Sequence, residues 1–188
     1  DTANTHLDAE IVTSADSTTT GTGRVGDASE TVNGLLLTND IRIKKLSVEN
    51  IIGIDITTGK TARIDSIVIG DGSAANTASE LKFVSGGNGG RLNNKTTNRG
   101  TLELKKGSLN IDVNTSIGAV VSVTGDSIID VASNKTLTLD DDTSSQNIDV
   151  DDNTLNIKGG GTVAVTADVR MSNATSILQI DTANTYLN

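Results

Sequence analysis

The sequence predicts an all-β chain wound as a right-handed parallel β-helix, or β-solenoid, with about three short strands and ~20 residues in each coil. Three observations predict it. Apolar–polar–apolar triplets recur, among them IDV at 111–113, 129–131 and 148–150. Asparagines return at a nearly fixed step, at Asn94, Asn114, Asn134, Asn153 and Asn173. The apolar residues are almost wholly Ile, Leu, Val and Ala, with one Phe, one Tyr, no Trp and no Pro. Alternation with period two is what a strand buried on one face requires. A coil must also turn corners, and asparagine adopts corner conformations at little cost. Medium-sized aliphatic side chains suit a narrow interior of constant cross-section, whereas rounded cores draw much of their buried area from aromatics.

Taken in order, residues 1–30 form a polar N-terminal segment or an irregular first coil, because TSADSTTTGTGRVGDASE (13–30) lacks a convincing strand. The solenoid is expected over 31–188. Its front half carries IRI (41–43), LSV (46–48), IDI (54–56), IVI (67–69), LKF (81–83) and LEL (102–104). SGGNGGRLNNKTTNRG (85–100) reads as a Gly/Asn-rich loop inserted at one corner. From Ile111 onward IDV, VSV, IDV, LTL, IDV, LNI, VAV, VRM and LQI alternate with turn-forming pieces such as SNKT, DDDTSSQ and KGGG. Aligning the repeated phrase places Ile111, Ile129, Ile148 and Val169 in one inward ladder. Val113, Val131, Val150 and Met171 then form the next ladder, with Asp112, Asp130, Asp149 and Arg170 outward between them. The recurring asparagines fall on the corners, where stacked amides can bond from coil to coil.

A longer echo joins the two ends. DTANTHL (1–7) and DTANTYL (181–187) differ at one residue. Their offset of 180 residues equals nine coils of ~20, so the two copies are expected at equivalent corners of a longer array or a head-to-tail fibre.

The net charge is −9. That argues against nucleic acid as a partner, since phosphate binding needs a basic face. The charge is uneven: residues 1–107 hold 12 Lys/Arg and 13 Asp/Glu, and 108–188 hold 3 and 11. Without cysteine there is no disulfide, thiolate site or thiol nucleophile. No apolar run reaches the roughly 18 residues of a membrane span, and no signal peptide is visible.

The candidate chemical motifs are weak. Gly59-Lys60-Thr61 has the ending of a phosphate-binding loop, but Ile54 stands where the earlier glycine belongs and no helix is expected to follow. GGNGGRLN (86–93) resembles a calcium-binding nonapeptide, but Arg91 replaces the aspartate and there is one copy. The aspartates Asp140, Asp141, Asp142, Asp149, Asp151 and Asp152 offer oxygen ligands for calcium, although outward carboxylates also keep a fibre soluble. His6 is the only histidine, so no Ser-His-Asp triad or multi-histidine zinc site is expected. Asp130 and Asp149 imitate a carboxylate pair, yet they read as repeat-equivalent decoration. Arg91, Lys95, Arg99, Lys105 and Lys106 form a basic group suited to a sulfated glycan, an acidic neighbour or solvent. Asn94, Asn114, Asn134 and Asn173 head formal glycosylation sequons, and their spacing follows the corner repeat. Thr57, Thr101, Thr136 and Thr162 do not make the unbroken threonine file of an ice-binding face. No catalytic, cofactor-binding or metal-ligating residue is assigned, and no cofactor is expected.

The triplets, the Asn/Gly/Thr-rich corners, the missing cysteine and the scarcity of aromatics together resemble passenger regions of bacterial autotransporters and filamentous-haemagglutinin-type surface proteins. The resemblance is strongest over about 100–188 and rests on texture and period. It implies a non-enzymatic structural or adhesive rod, extracellular or at the cell surface, in an adhesin or a self-assembling fibre. The expected partners are a second copy stacked head to tail, further coils of a longer chain, or a cell-surface glycan or receptor. The alternative is a β-helical carbohydrate-active enzyme or tailspike-like depolymerase.

Overall fold

A computed structural model describes residues 5–13, 34–37, 41–49, 51–56, 61–73, 79–83, 91–92, 100–139, 147–166 and 168–187. Within them lie only strands and their connections. In chain order these are β1 (Thr5–Thr13), β2 (Gly34–Leu37), β3 (Ile41–Val48), β4 (Ile51–Ile56), β5 (Thr61–Ile69) and β6 (Glu80–Phe83). Next come β7 (Arg91–Leu92), β8 (Thr101–Lys105), β9 (Ser108–Ile111), β10 (Thr115–Ile117), β11 (Val120–Gly125) and β12 (Ser127–Val131). The last are β13 (Thr136–Leu139), β14 (Asn147–Val150), β15 (Thr154–Val165), β16 (Asp168–Met171) and β17 (Ile177–Leu187).

Every strand pairing is parallel, and the chain visits three faces in a fixed cycle. The first face stacks β2, β4, β6, β9, β12 and the leading halves of β15 and β17. The second stacks the leading halves of β1, β3 and β5, then β7, β10, β13 and the trailing halves of β15 and β17. The third stacks the trailing halves of β1, β3 and β5, then β8, β11, β14 and β16. This is the expected β-solenoid.

Inside, like stacks on like. On the third face Leu46, Ile67, Leu102, Val121, Ile148 and Val169 occupy successive coils. Beside them run Val48, Ile69, Leu104, Val123, Val150 and Met171. On the first face Leu81, Leu109, Ile129, Ile157 and Ile180 form a third file. Among the residues whose burial is described, every buried hydrophobic side chain is Ile, Leu, Val or Ala. Each buried Ile or Leu contributes about 1.5–3 kcal/mol, so these files supply the main driving force for winding.

The register departs from the one expected. Of the predicted ladder only its last step exists, with Ile148 against Val169, Asp149 against Arg170 and Val150 against Met171. Ile111 lies against Phe83 and Val131, and Ile129 against Leu109 and Ile157, all on the first face. Ile148 lies on the third, against Val121. Thus Ile111, Ile129 and Ile148 do not stack, although the coil does. The cause is coil length. On the third face Leu102 to Val121 spans 19 residues, Val121 to Ile148 spans 27, and Ile148 to Val169 spans 21. Extra residues at a corner change the count while leaving the core untouched, because lengthening a surface connection costs little.

Strand pairing also reaches back beyond residue 31. β1, within the segment read as a polar leader or irregular coil, pairs with β3. Residues 14–33 lie outside the described residues, as does most of the 85–100 loop. From that loop β7 returns to the second face, between β5 and β10. Where it is described, the terminal echo sits in strands, and corners were expected; residues 1–4 lie outside the described residues. Thr5–Leu7 and Thr185–Leu187 both lie on the second face. They are seven strand steps apart through β3, β5, β7, β10, β13 and β15, where nine coils were expected.

Candidate functional site

The polar side chains outside the core mostly bind the neighbouring coil. On the first face Asn110 Nδ2 donates to Glu80 Oε1 at 2.7 Å, Lys82 pairs with Asp112 at 3.0 Å, and Lys158 pairs with Asp130 at 3.4 Å. The hydrogen bond to Asp112 raises the Lys82 pKa; burial opposes this, and the charges of Asp112 and Glu80 add to it. On the third face Thr124 Oγ1 donates to Glu103 Oε1 at 2.7 Å. Near the front, Arg42 pairs with Asp65 at 2.8 Å, and Arg63 Nε lies 3.4 Å from the other carboxylate oxygen, an ion contact without hydrogen-bond geometry. Burial alone raises the Asp65 pKa, but the Arg42 hydrogen bond and the two guanidinium charges outweigh it, and the net shift is downward. These groups are partly exposed, so each pair adds at most about 1 kcal/mol.

The corners use Asn and Asp as expected, with different bonds. Asn114 Oδ1 accepts from the Thr136 amide at 2.9 Å, and Asp126 Oδ1 accepts from the Thr154 amide at 2.8 Å. Asn153 Nδ2 reaches the Val123 carbonyl at 3.2 Å, and Asn173 Nδ2 donates to Asp151. The coil-to-coil bonds therefore run from amide to backbone or carboxylate, where stacked amide pairs were expected. Asn134 and Asp152 take the left-handed conformation, with φ of 62° and 48°. Asn114 and Asn134 serve the corner between the first and second faces, whereas Asn153 and Asn173 serve the one between the third and first. The single asparagine file is thus split over two edges.

One corner residue carried no sequence signal. Ser127 is buried, its Oγ accepts from the amides of Lys106 (3.1 Å) and Gly107 (3.2 Å), and its hydroxyl donates to the Gly125 carbonyl at 2.7 Å. It thereby satisfies backbone groups of two successive corners. Serine is common in this chain, and only the fold distinguishes this one. Ser127→Ala is expected to lower stability by about 2–3 kcal/mol, since it strands buried backbone groups without a partner. Urea unfolding should show an earlier midpoint with an unchanged slope.

The sequence candidates disperse over this framework. Asp149 accepts from the Ser172 hydroxyl, Asp151 from Asn173 and Asp152 from the Thr175 hydroxyl, so each of these carboxylates is held by the following corner. Asp140, Asp141 and Asp142 lie outside the described residues, among which no three His, Cys, Asp or Glu side chains converge as a metal site would require. Asp130 and Asp149 occupy different faces, against Asn110 and Lys158 in one case and Ser122 and Arg170 in the other. They are neither a carboxylate pair nor repeat equivalents. Arg91 lies on the second face, Lys105 ends a strand of the third and Lys106 turns the corner beyond it, so the basic group does not share one face. Lys95 and Arg99 lie outside the described residues. Thr61 opens β5, so a strand follows the Gly59–Thr61 motif, of which Gly59 and Lys60 lie outside the described residues. Thr136 and Thr162 do stack, with Asn184 next in line. No family model, curated protein or solved structure matches this chain.

Proposed function

We propose that the chain is a non-enzymatic structural or adhesive element, extracellular or at the cell surface, in an adhesin or a self-assembling fibre. The observation that carries this reading is the direction of the polar bonds. Glu80, Glu103, Asn114, Asp126 and Asp130 are each bonded to a residue of a neighbouring coil. Side chains committed along the axis stiffen a stack, whereas an enzyme needs groups free to converge on a substrate. The aliphatic files support the same reading, because a core of uniform cross-section can be extended by further coils. A cell-surface glycan or receptor is the partner class an adhesive element would engage.

The purified chain should be offered a panel of acidic polysaccharides, with chain cleavage followed by viscosity and new reducing ends. No cleavage is expected, with or without retention of a glycan on the protein. Turnover would overturn the proposal in favour of a depolymerase.

A further inference from the structure

Three of the glycosylation sequons, those headed by Asn114, Asn134 and Asn173, lie among the described residues, and each of these asparagines is exposed at a corner. The fourth, at Asn94, lies outside them. The motif joins two groups: the asparagine Nδ2 that takes the sugar and the hydroxyl two residues on. Exposure does not separate the three sites. Hydrogen bonding does.

At Asn173 both groups are held by the preceding coil, since Nδ2 donates to Asp151 and the Thr175 hydroxyl donates to Asp152. Asn114 is held by the following coil, its Oδ1 accepting from the Thr136 amide at 2.9 Å. At Asn134 the backbone makes the turn by itself. The Lys135 amide bonds the Ala132 carbonyl at 3.0 Å, and Asn134 takes the third place with φ of 62°, a position that favours glycine or asparagine. Asn134 is therefore placed for its conformation. Within the described structure neither its side-chain amide nor the Thr136 hydroxyl makes a hydrogen bond. The neighbouring coil also leaves room. It crosses this corner as Gly159, Gly160 and Gly161, and a Cβ on Gly160 would meet the Ser133 hydroxyl, so a strip without side chains runs against the turn.

We propose that Asn134 is the sequon of this chain built to carry an N-linked saccharide. The donor is a lipid-linked saccharide whose anomeric carbon is bonded to a phosphate oxygen. The Asn134 Nδ2 bonds to that carbon, the carbon–oxygen bond breaks, the phosphate leaves with the electron pair, and one amide proton passes to the transferase. Donor and transferase belong to an export pathway, so the inference rests on the extracellular reading above. At the edge between the first and second faces the saccharide projects sideways and leaves the aliphatic files and strand ladders untouched.

The test takes the purified folded chain, a lipid-linked oligosaccharide and an oligosaccharyltransferase that accepts peptides spanning each of the three sequons. Mass spectrometry follows transfer at each site against the matching peptide. Asn134 in the folded chain should react within about twofold of its peptide, whereas Asn114 and Asn173 should lag theirs by at least about tenfold, because their bonds must first break. Thr136→Val, at an outward and partly exposed position, should abolish transfer at Asn134 and leave the circular dichroism spectrum unchanged. Chain isolated from the organism that makes it should carry saccharide on Asn134. Equal rates at the three folded sites would overturn the proposal, as would a lag at Asn134 like that at Asn173. A bare Asn134 on chain recovered from the cell surface or medium would overturn it too and leave the structural reading standing. Chain confined to the cytoplasm would overturn the extracellular reading along with the site, and polysaccharide turnover would overturn the non-enzymatic reading without touching the site.

Discussion

Leu102→Asp is expected to abolish cooperative folding. Leu102 is fully buried and lies between Ile67 and Val121 in the third-face file, with Leu104 beside it on the same strand. A carboxylate there is held between Ile67 and Val121, both aliphatic and buried. Burying an ion without a partner costs several kcal/mol even after relaxation. Loss of the leucine side chain adds about 2–5 kcal/mol. Together these approach or exceed the 5–15 kcal/mol that holds an ordinary domain folded. The position is central, since β8 is the fourth of seven strands on its face. In a stack each coil leans only on its neighbours, so failure at the centre parts the front coils from the rear ones. The measurement is far-ultraviolet circular dichroism with hydrogen exchange. Protection should vanish in β5 and β11 as well as β8. Leu102→Ile, which conserves volume, should cost less than about 1.5 kcal/mol. Glu103→Ala should cost less still, because Glu103 faces outward and gives up one exposed hydrogen bond. A folded Leu102→Asp chain with native protection would show that this file is not the core.

The inward positions were legible in the sequence, and their partners were not. Ile111, Ile129 and Ile148 were placed inward by period-two alternation, and all three are buried. That alternation is local, fixed by the pleat of a single strand. Which face a triplet occupies is a property of the whole coil. The three faces share the same inward-outward-inward phrase, so a shift from one face to another leaves no mark on the apolar pattern. The IDV at 129–131 and the IDV at 148–150 look equivalent, yet they lie on the first and third faces. Only the varying corner lengths separate them. Corner chemistry was half legible for a similar reason. Asn and Asp are chosen for conformations and bonds that local sequence announces, as at Asn134 and Asp126. Ser127 works through the amides of Lys106 and Gly107 some twenty residues earlier, a contact that exists only once the coil is closed. The acidic candidates dissolved on the same ground, because Asp149, Asp151 and Asp152 are answered by a corner that sequence reading treated as a separate repeat.

Gly159→Ala is the second large effect expected, and it tests the corners as Leu102→Asp tests the core. The corner between Ala132 and Lys135 turns through Asn134, with φ of 62°, and the following coil crosses it along Gly159, Gly160 and Gly161. The Thr162 amide then bonds the Lys135 carbonyl at 2.8 Å, holding the crossing close. Gly159 has φ of 107°, a conformation that L side chains rarely adopt, and a Cβ there would overlap the Val131 carbonyl oxygen. Backbone strain of this kind costs about 1–3 kcal/mol, and the overlap adds a similar amount because neither coil can move without opening the ladder. A loss of about 2–5 kcal/mol follows, which for a chain of this size lowers Tm by roughly 5–20 °C. Gly160→Ala supplies the comparison. Its φ is not positive, and its Cβ would meet chiefly the Ser133 hydroxyl, a terminal group that can rotate aside. It should cost less than about 1 kcal/mol. If the two alanines proved equally damaging, close approach along the whole Gly159–Gly161 run would govern this corner, and the left-handed conformation of Gly159 would count for little.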